Sequence, residues 1–154
     1  MDTLVKTFYL GNKWTYSRTN MEKKLWDSIS SDILKSLPNA AKGYEQRISI
    51  PEFTFLGGAN QPDFGDVTIW FYGKDKTIEL KSLKQYLFQY RDTRLSYERA
   101  LDVMYKHLKA VYEPDRIRIE IEYRPRGGIS SKMTVDSDWG HLGGTDSHWQ
   151  HHKD

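Results

Sequence analysis

The chain predicts an α+β fold in which an antiparallel sheet carries helices on one face. Three observations point there. Ile117, Ile119, Ile121 and Tyr123 alternate with Arg116, Arg118, Glu120 and Glu122, the two-residue period of a half-buried strand. Val67, Ile69 and Phe71 alternate with Thr68, Trp70 and Tyr72 ahead of Gly73-Lys74-Asp75-Lys76, which reads as a hairpin turn into a strand over 77–80. Two amphipathic stretches, 83–90 and 98–111, lie between these strands, the second with Leu101, Met104, Leu108 and Val111 on one stripe.

Taken in order, residues 1–19 read as an arm or short strand. Asn20 is placed to cap a helix running to Leu37, with Leu25, Trp26, Ile29, Ile33 and Leu37 on one side and Pro38 as its stop. Residues 47–55 are strand-like in part, and 57–65 form a Gly-, Asn- and Pro-containing loop that carries Asp63. Glu79 and Lys81 fall where the strand turns into a helix capped by Ser82, a junction at which backbone can hold side chains firmly. Pro114 ends the helical region, and Arg124-Pro125-Arg126 predicts a rigid bend before the permissive pair Gly127-Gly128. The charged positions of the 116–123 strand call for solvent, salt partners or a neighbouring subunit. Residues 1–134 are expected to form one domain with an N-terminal extension, followed by a polar Gly-, Asp- and His-rich tail over 135–154.

The 154 residues suffice for a single core. With no Cys, disulfides, thiolate nucleophiles and cysteine-ligated metal centres are excluded. The net charge of +2, from 23 basic and 21 acidic side chains spread along the chain, gives no strong nucleic-acid signature. No run approaches a membrane span, and the start Met1-Asp2-Thr3-Leu4-Val5-Lys6 does not read as a leader, so a cytoplasmic protein is the expectation. Ten Tyr and five Trp offer stacking platforms for a planar heterocycle, or filling for a core and a subunit interface.

Among the side chains that carry chemistry, Asp63 is a candidate acid or base if aromatic neighbours shield it; the competing reading is a turn cap. Glu98 has the chemistry to accept paired hydrogen bonds from a guanine or pterin edge, and equally that of a first-turn helix residue. Lys81, Lys84, Arg91, Arg94 and Arg126 offer contacts to a phosphate, against a solvated helix face. His148, His151 and His152, with Asp138, Asp146 or Asp154, have metal-compatible spacing, but a polar terminus without a metal is the favoured reading. Phosphate-loop, dinucleotide-fingerprint and HExxH motifs do not occur.

The segments PEFTFL at 51–56, QPDF at 61–64, ELKSLKQYLFQYR at 79–91, YERA at 97–100 and PRGGIS at 125–130 resemble, in that order, the NADPH-dependent 7-cyano-7-deazaguanine reductases, the preQ nitrile reductases of queuosine biosynthesis. The resemblance implies the tunnelling fold, assembled into a multisubunit barrel with sites between neighbouring copies. It further implies Asp63 as the acid, Glu98 as the anchor of a purine-like base with Glu79, Tyr97 and Gly57 beside the substrate, and NADPH held near Lys81, Lys84, Arg126, Gly127 and Gly128. No metal is implied.

The departures are chemical. Gly57 stands where the family's nucleophilic Cys follows the FTxL segment, Tyr97 replaces a His beside the Glu, and Leu80 replaces a small polar residue of the ESKSLK-type motif. A thiolate adds to a nitrile and presents a thioimide to hydride, whereas glycine has no group to do so. The reading that follows is a reductase-related protein that binds a 7-deazaguanine-, guanine- or pterin-like heterocycle, with non-thiol chemistry. Literal NADPH-dependent nitrile reduction, a non-enzymatic ligand-binding or assembly role, and a metal-dependent hydrolase are the alternatives.

Overall fold

The computed structural model describes the backbone of residues 4–10 and 13–18 and the whole of residues 24–146. In chain order the elements are strands β1 (Leu4–Leu10), β2 (Lys13–Arg18), β3 (Lys24–Leu25), β4 (Ser36–Pro38), β5 (Gln46–Leu56), β6 (Pro62–Tyr72) and β7 (Lys76–Ile78), helix α1 (Leu80–Phe88), strand β8 (Thr93–Arg94), helix α2 (Tyr97–Tyr112), and strands β9 (Arg116–Arg126) and β10 (Ile129–Asp136). The main sheet has the order β10-β9-β6-β5-β8-β3, and β1 with β2 and β4 with β7 form separate pairs. Its four long strands are antiparallel, while β8 joins β5 and β3 joins β8 in parallel through short contacts, so the sheet is mixed at one edge.

The alternation read from the sequence sorts the faces. Phe53 and Phe55 of β5, Val67, Ile69 and Phe71 of β6, and Ile117, Ile119, Ile121 and Tyr123 of β9 point into the core. Leu83 and Tyr86 of α1 and Ala100, Met104, Leu108 and Tyr112 of α2 meet them there. Each large side chain fully withdrawn from water contributes roughly 1.5–3 kcal/mol. On the other face, the guanidinium of Arg116 is held by buried Asp136, with Nε to Oδ1 at 3.1 Å and Nη2 to Oδ2 at 2.5 Å, and Arg118 joins at 3.4 Å. The charged positions at this end of β9 thus find a counter-charge within the chain.

Four sequence expectations are corrected. No helix spans the described part of 20–37: two short 3-10 turns and β3 and β4 stand there instead. Its serines divert the backbone, Ser28 Oγ donating to the Leu25 carbonyl and Ser30 Oγ accepting from Asp32 N–H, and only Ile29 and Leu34 are buried. The segment is tied to α1, since the Gln89 amide exchanges two hydrogen bonds of 2.9 Å with the Ser30 backbone and Ser82 Oγ accepts from Lys35 N–H at 2.9 Å.

The 73–76 turn makes no hairpin with β6. Both edges of β6 are already paired, Phe71 with Gln46 and Tyr72 with Arg116, so β7 pairs with β4. Asn39 clamps the turn by donating to the Gly73 and Lys74 carbonyls. The expected loop over 57–65 is shorter, because β6 begins at Pro62 and pairs with Leu56. Pro125 makes no bend: β9 runs through it, and the register shift opposite Ile129 and Ser131 places it where the ladder is interrupted. β10 runs to Asp136, and Asp138 beyond it is buried, accepting from Thr145 N–H and Oγ1.

Candidate functional site

The pleat of β6 places Asp63 on the core side, paired across the ladder with Phe55 of β5 and in line with Gly65 and Val67. It is 9 % exposed. Arg126, at the end of β9, reaches back to it with Nε 2.8 Å from Oδ1, and also donates to Gln61 Oε1 at 2.9 Å and to the Pro62 carbonyl. Tyr97 opens α2 and turns its hydroxyl toward Asp63 Oδ1 in a long hydrogen bond of 3.5 Å. Burial, and then the charge of Asp63, pushes the Tyr97 hydroxyl above its ordinary pKa.

Tyr97 is itself fixed by packing. Its ring stacks on Tyr123 with centroids 3.9 Å apart and planes 6° from parallel, and Phe55 meets both rings edge-on. The Tyr123 hydroxyl donates to the Tyr97 carbonyl at 2.8 Å. Glu98 follows, in the first turn of α2 after the Ser96 cap, and its side chain is exposed. Hydrogen bonds from its own N–H and from Ser96 hold its carboxyl below the ordinary Glu value.

Gly57 lies on the far side of Asp63. Its N–H donates to the Gln61 carbonyl at 2.9 Å, and its carbonyl accepts from Asn60, whose φ of 56° closes the turn. A side chain at 57 would collide with Asp63 Oδ2. Arg94 braces the same turn by donating to the Gly58 carbonyl at 2.8 Å. Gly57, Asp63, Tyr97 and Arg126 are therefore one cluster, with Glu98 at its rim and the left-handed turn Gly127-Gly128 directly after Arg126.

The remaining predicted residues belong to α1. Glu79 is its cap, accepting from Lys81 N–H at 3.0 Å and Ser82 N–H at 2.8 Å, and these bonds, led by that of Ser82, lower its pKa. The cap thus stands three residues before Ser82, whose hydroxyl turns back to the Glu79 carbonyl. Lys81 is exposed in the first turn. Lys84 borders a groove of about 510 Å³ between α1 and the β5 segment around Pro51, walled by Ile50, Phe53, Leu83 and Leu87. Arg91, 4.4 Å above the Phe88 ring, closes one end of it.

Sequence reasoning missed this groove. Its signal is the excess of apolar residues on α1: Leu80 and Phe88 lie off the core stripe and are 54 % and 45 % exposed. The β5 wall carries a register shift between Ile50 and Phe53, which no residue pattern announces. A second cavity of about 320 Å³ brings Arg91 beside Arg124 and Phe64. His141 is exposed, whereas His148, His151 and His152 lie outside the described residues. Among the described residues no group of three or more His, Cys, Asp or Glu is arranged to hold a metal ion, and no helix is long and apolar enough to cross a membrane.

The family described as QueF-like protein matches residues 62–141. The NADPH-dependent 7-cyano-7-deazaguanine reductase of Magnetococcus marinus is 37 % identical over 100 residues, covering 64 % of this chain and 78 % of that protein. The protein of the same name from Chlorobium chlorochromatii is 35 % identical over 107 residues, covering 68 % and 92 % respectively. That of Helicobacter pylori strain G27 is 36 % identical over 110 residues, covering 70 % and 74 %. In structure, the apo form of the archaeosine synthase QueF-Like superposes with a TM-score of 0.56 at 14 % identity, over 62 % of this chain and 95 % of that one, a likeness of fold alone.

Proposed function

Starting from the fact that this chain belongs to the QueF-like protein family, we propose that it is a cysteine-free member that binds a 7-deazaguanine-, guanine- or pterin-like heterocycle and acts on it, if at all, without a thiol. The observation that carries the reading is the cluster at Asp63. A shielded carboxylate, two stacked tyrosines and the exposed Glu98 stand together at the mouth of α2. Glu98, an exposed carboxylate, supplies the acceptor pair that a guanine-type N–H edge requires. Asp63 is the group with access to a ligand proton, with Tyr97 beside it as hydrogen-bond partner.

The covalent route of a nitrile reductase does not fit these residues. No Cys occurs in the sequence, and the space beside Gly57 is taken by Asp63. NADPH fits in part. When bound it would supply hydride; Lys84 and Arg91 at the groove rim are the cations for its phosphates, and the exposed Phe88 offers a face to a planar ring. Arg126 is paired instead with Asp63, and Gly127 and Gly128 follow it in an exposed turn. Glu79 and Lys81 serve this reading through α1, the first as its cap.

The same observations favour one second reading, a protein that binds the heterocycle without turning it over. Assembly into a homo-oligomer with sites shared between copies, and a cytoplasmic location, accompany both readings. The test is incubation with 7-cyano-7-deazaguanine and NADPH, followed by mass spectrometry beside an Asp63→Asn variant and by calorimetry. Heterocycle binding without an aminomethyl product is the expected result. Product that disappears with Asp63→Asn would establish reduction without cysteine, and absence of binding to 7-deazaguanine, guanine and pterin probes would overturn the heterocycle reading.

A further inference from the structure

We infer that Arg126 is a resident counter-ion for Asp63 which a cationic substituent on the bound heterocycle displaces, so that the site selects a ring bearing an amine-type cation over one bearing a neutral nitrile. The inference rests on the heterocycle reading above and names the ligand class of that site. Its basis is an asymmetry within the ion pair. The Asp63 side chain is 13 % exposed and the Arg126 side chain 44 % exposed, with Nε and Oδ1 2.8 Å apart.

Asp63 has little freedom to leave. It is set in a strand ladder opposite Phe55, with Oδ2 filling the space beside Gly57 and Oδ1 facing Tyr97. Arg126 has an exit: it stands at the open end of β9, where its other hydrogen bonds, to Gln61 and the Pro62 carbonyl, are also on the exposed rim. A protonated amine reaching Asp63 replaces one charge-assisted hydrogen bond with another and frees the guanidinium to water. A nitrile brings neither a charge nor a donor, so it must either leave the ion pair in place or leave a shielded carboxylate without a partner.

The experiment compares two probes on the intact protein by calorimetry, 7-cyano-7-deazaguanine and its 7-aminomethyl counterpart at neutral pH. In the wild type the aminomethyl ring is expected to bind about tenfold more tightly, because it can replace the Arg126 contact to Asp63 with one of its own and the nitrile cannot. Arg126→Gln removes the competitor and should widen that ratio, whereas Asp63→Asn should bring the two probes to within a few-fold of each other. Equal affinities in the wild type, or tighter binding of the nitrile, would overturn the inference and leave the heterocycle reading standing. A ratio that narrows in Arg126→Gln would also overturn it. Binding of neither probe would overturn both readings. The wild-type comparison needs no variant, so a misfolded substitution does not decide the outcome.

Discussion

Asp63 Oδ2 occupies the space that a side chain at Gly57 would need, so the two positions exclude one another: a carboxylate in its present place requires glycine across from it. Both are buried, and Asp63 is restrained by Arg126 at 2.8 Å. Gly57→Ala should therefore cost about 1–3 kcal/mol, the range for overfilling a packed site. Urea denaturation of a double-mutant cycle checks this, because the cost should largely vanish in an Asp63→Ala background. Gly57→Cys should likewise push Asp63 aside and yield no nitrile reduction, measured by product mass spectrometry.

Glu98 makes no contact on which the fold depends beyond its own helical turn. Glu98→Gln should leave the melting temperature nearly unchanged and weaken heterocycle binding by about 1.5–3 kcal/mol, as for loss of a hydrogen bond to a charged group. Calorimetry paired with thermal melting separates the two effects. A large fall in melting temperature would assign Glu98 a structural role instead.

The Arg116–Asp136 pair predicts acid sensitivity. Burial pushes the Asp136 carboxyl up, but the Arg116 hydrogen bonds and the Asp138 N–H outweigh it and hold the group below the usual Asp value. The unfolded state therefore binds the proton more readily. The pair's contribution is fully present above the unfolded Asp value, about 4, and is lost as pH falls through the lower folded one. Asp136→Asn leaves a guanidinium whose side chain is 4 % exposed without its counter-charge and should cost about 3–5 kcal/mol at neutral pH. Denaturation midpoints against pH for wild type and variant should converge toward the acid end.

His107 gives a second pH dependence at milder acidity. Its Nδ1 faces the Tyr86 hydroxyl at 2.9 Å, itself 2.8 Å from that of Tyr90, and burial lowers the His107 pKa. With the folded value below the unfolded one of about 6.5, stability should decline as pH drops through and below 6.5. His107→Gln should flatten that part of the profile, and NMR titration of the imidazole reads the depressed pKa directly.

The legible part of the fold is the part where one face meets one core. The alternation at Ile117, Ile119, Ile121 and Tyr123, and the stripe at Leu101, Met104 and Leu108, translate directly into β9 and α2 because those residues face one apolar interior. The 24–38 segment was misread because Leu25, Trp26 and Leu37 mimic a helical stripe yet remain exposed, while serines take over the backbone bonding. The 73–76 turn was misread because local turn chemistry does not report that β9 already holds the free edge of β6. At the site, Asp63, Tyr97 and Arg126 were identifiable one by one, but their convergence depends on the β6–β9 pairing and on the entry of α2. The steric exclusion between Gly57 and Asp63 is a three-dimensional fact with no signature in residue spacing.

The ties from Ser30 and Lys35 to α1 carry a mechanical consequence. Gln89 at the end of the helix and Ser82 near its start are both fastened to the 30–35 segment, at 2.9 Å each. The helix that walls the groove is thus moored at both ends from behind. Widening or narrowing the groove by tilting α1 stretches one mooring or the other, so a ligand entering beside Lys84 meets an aperture whose width is fixed by a segment it never touches.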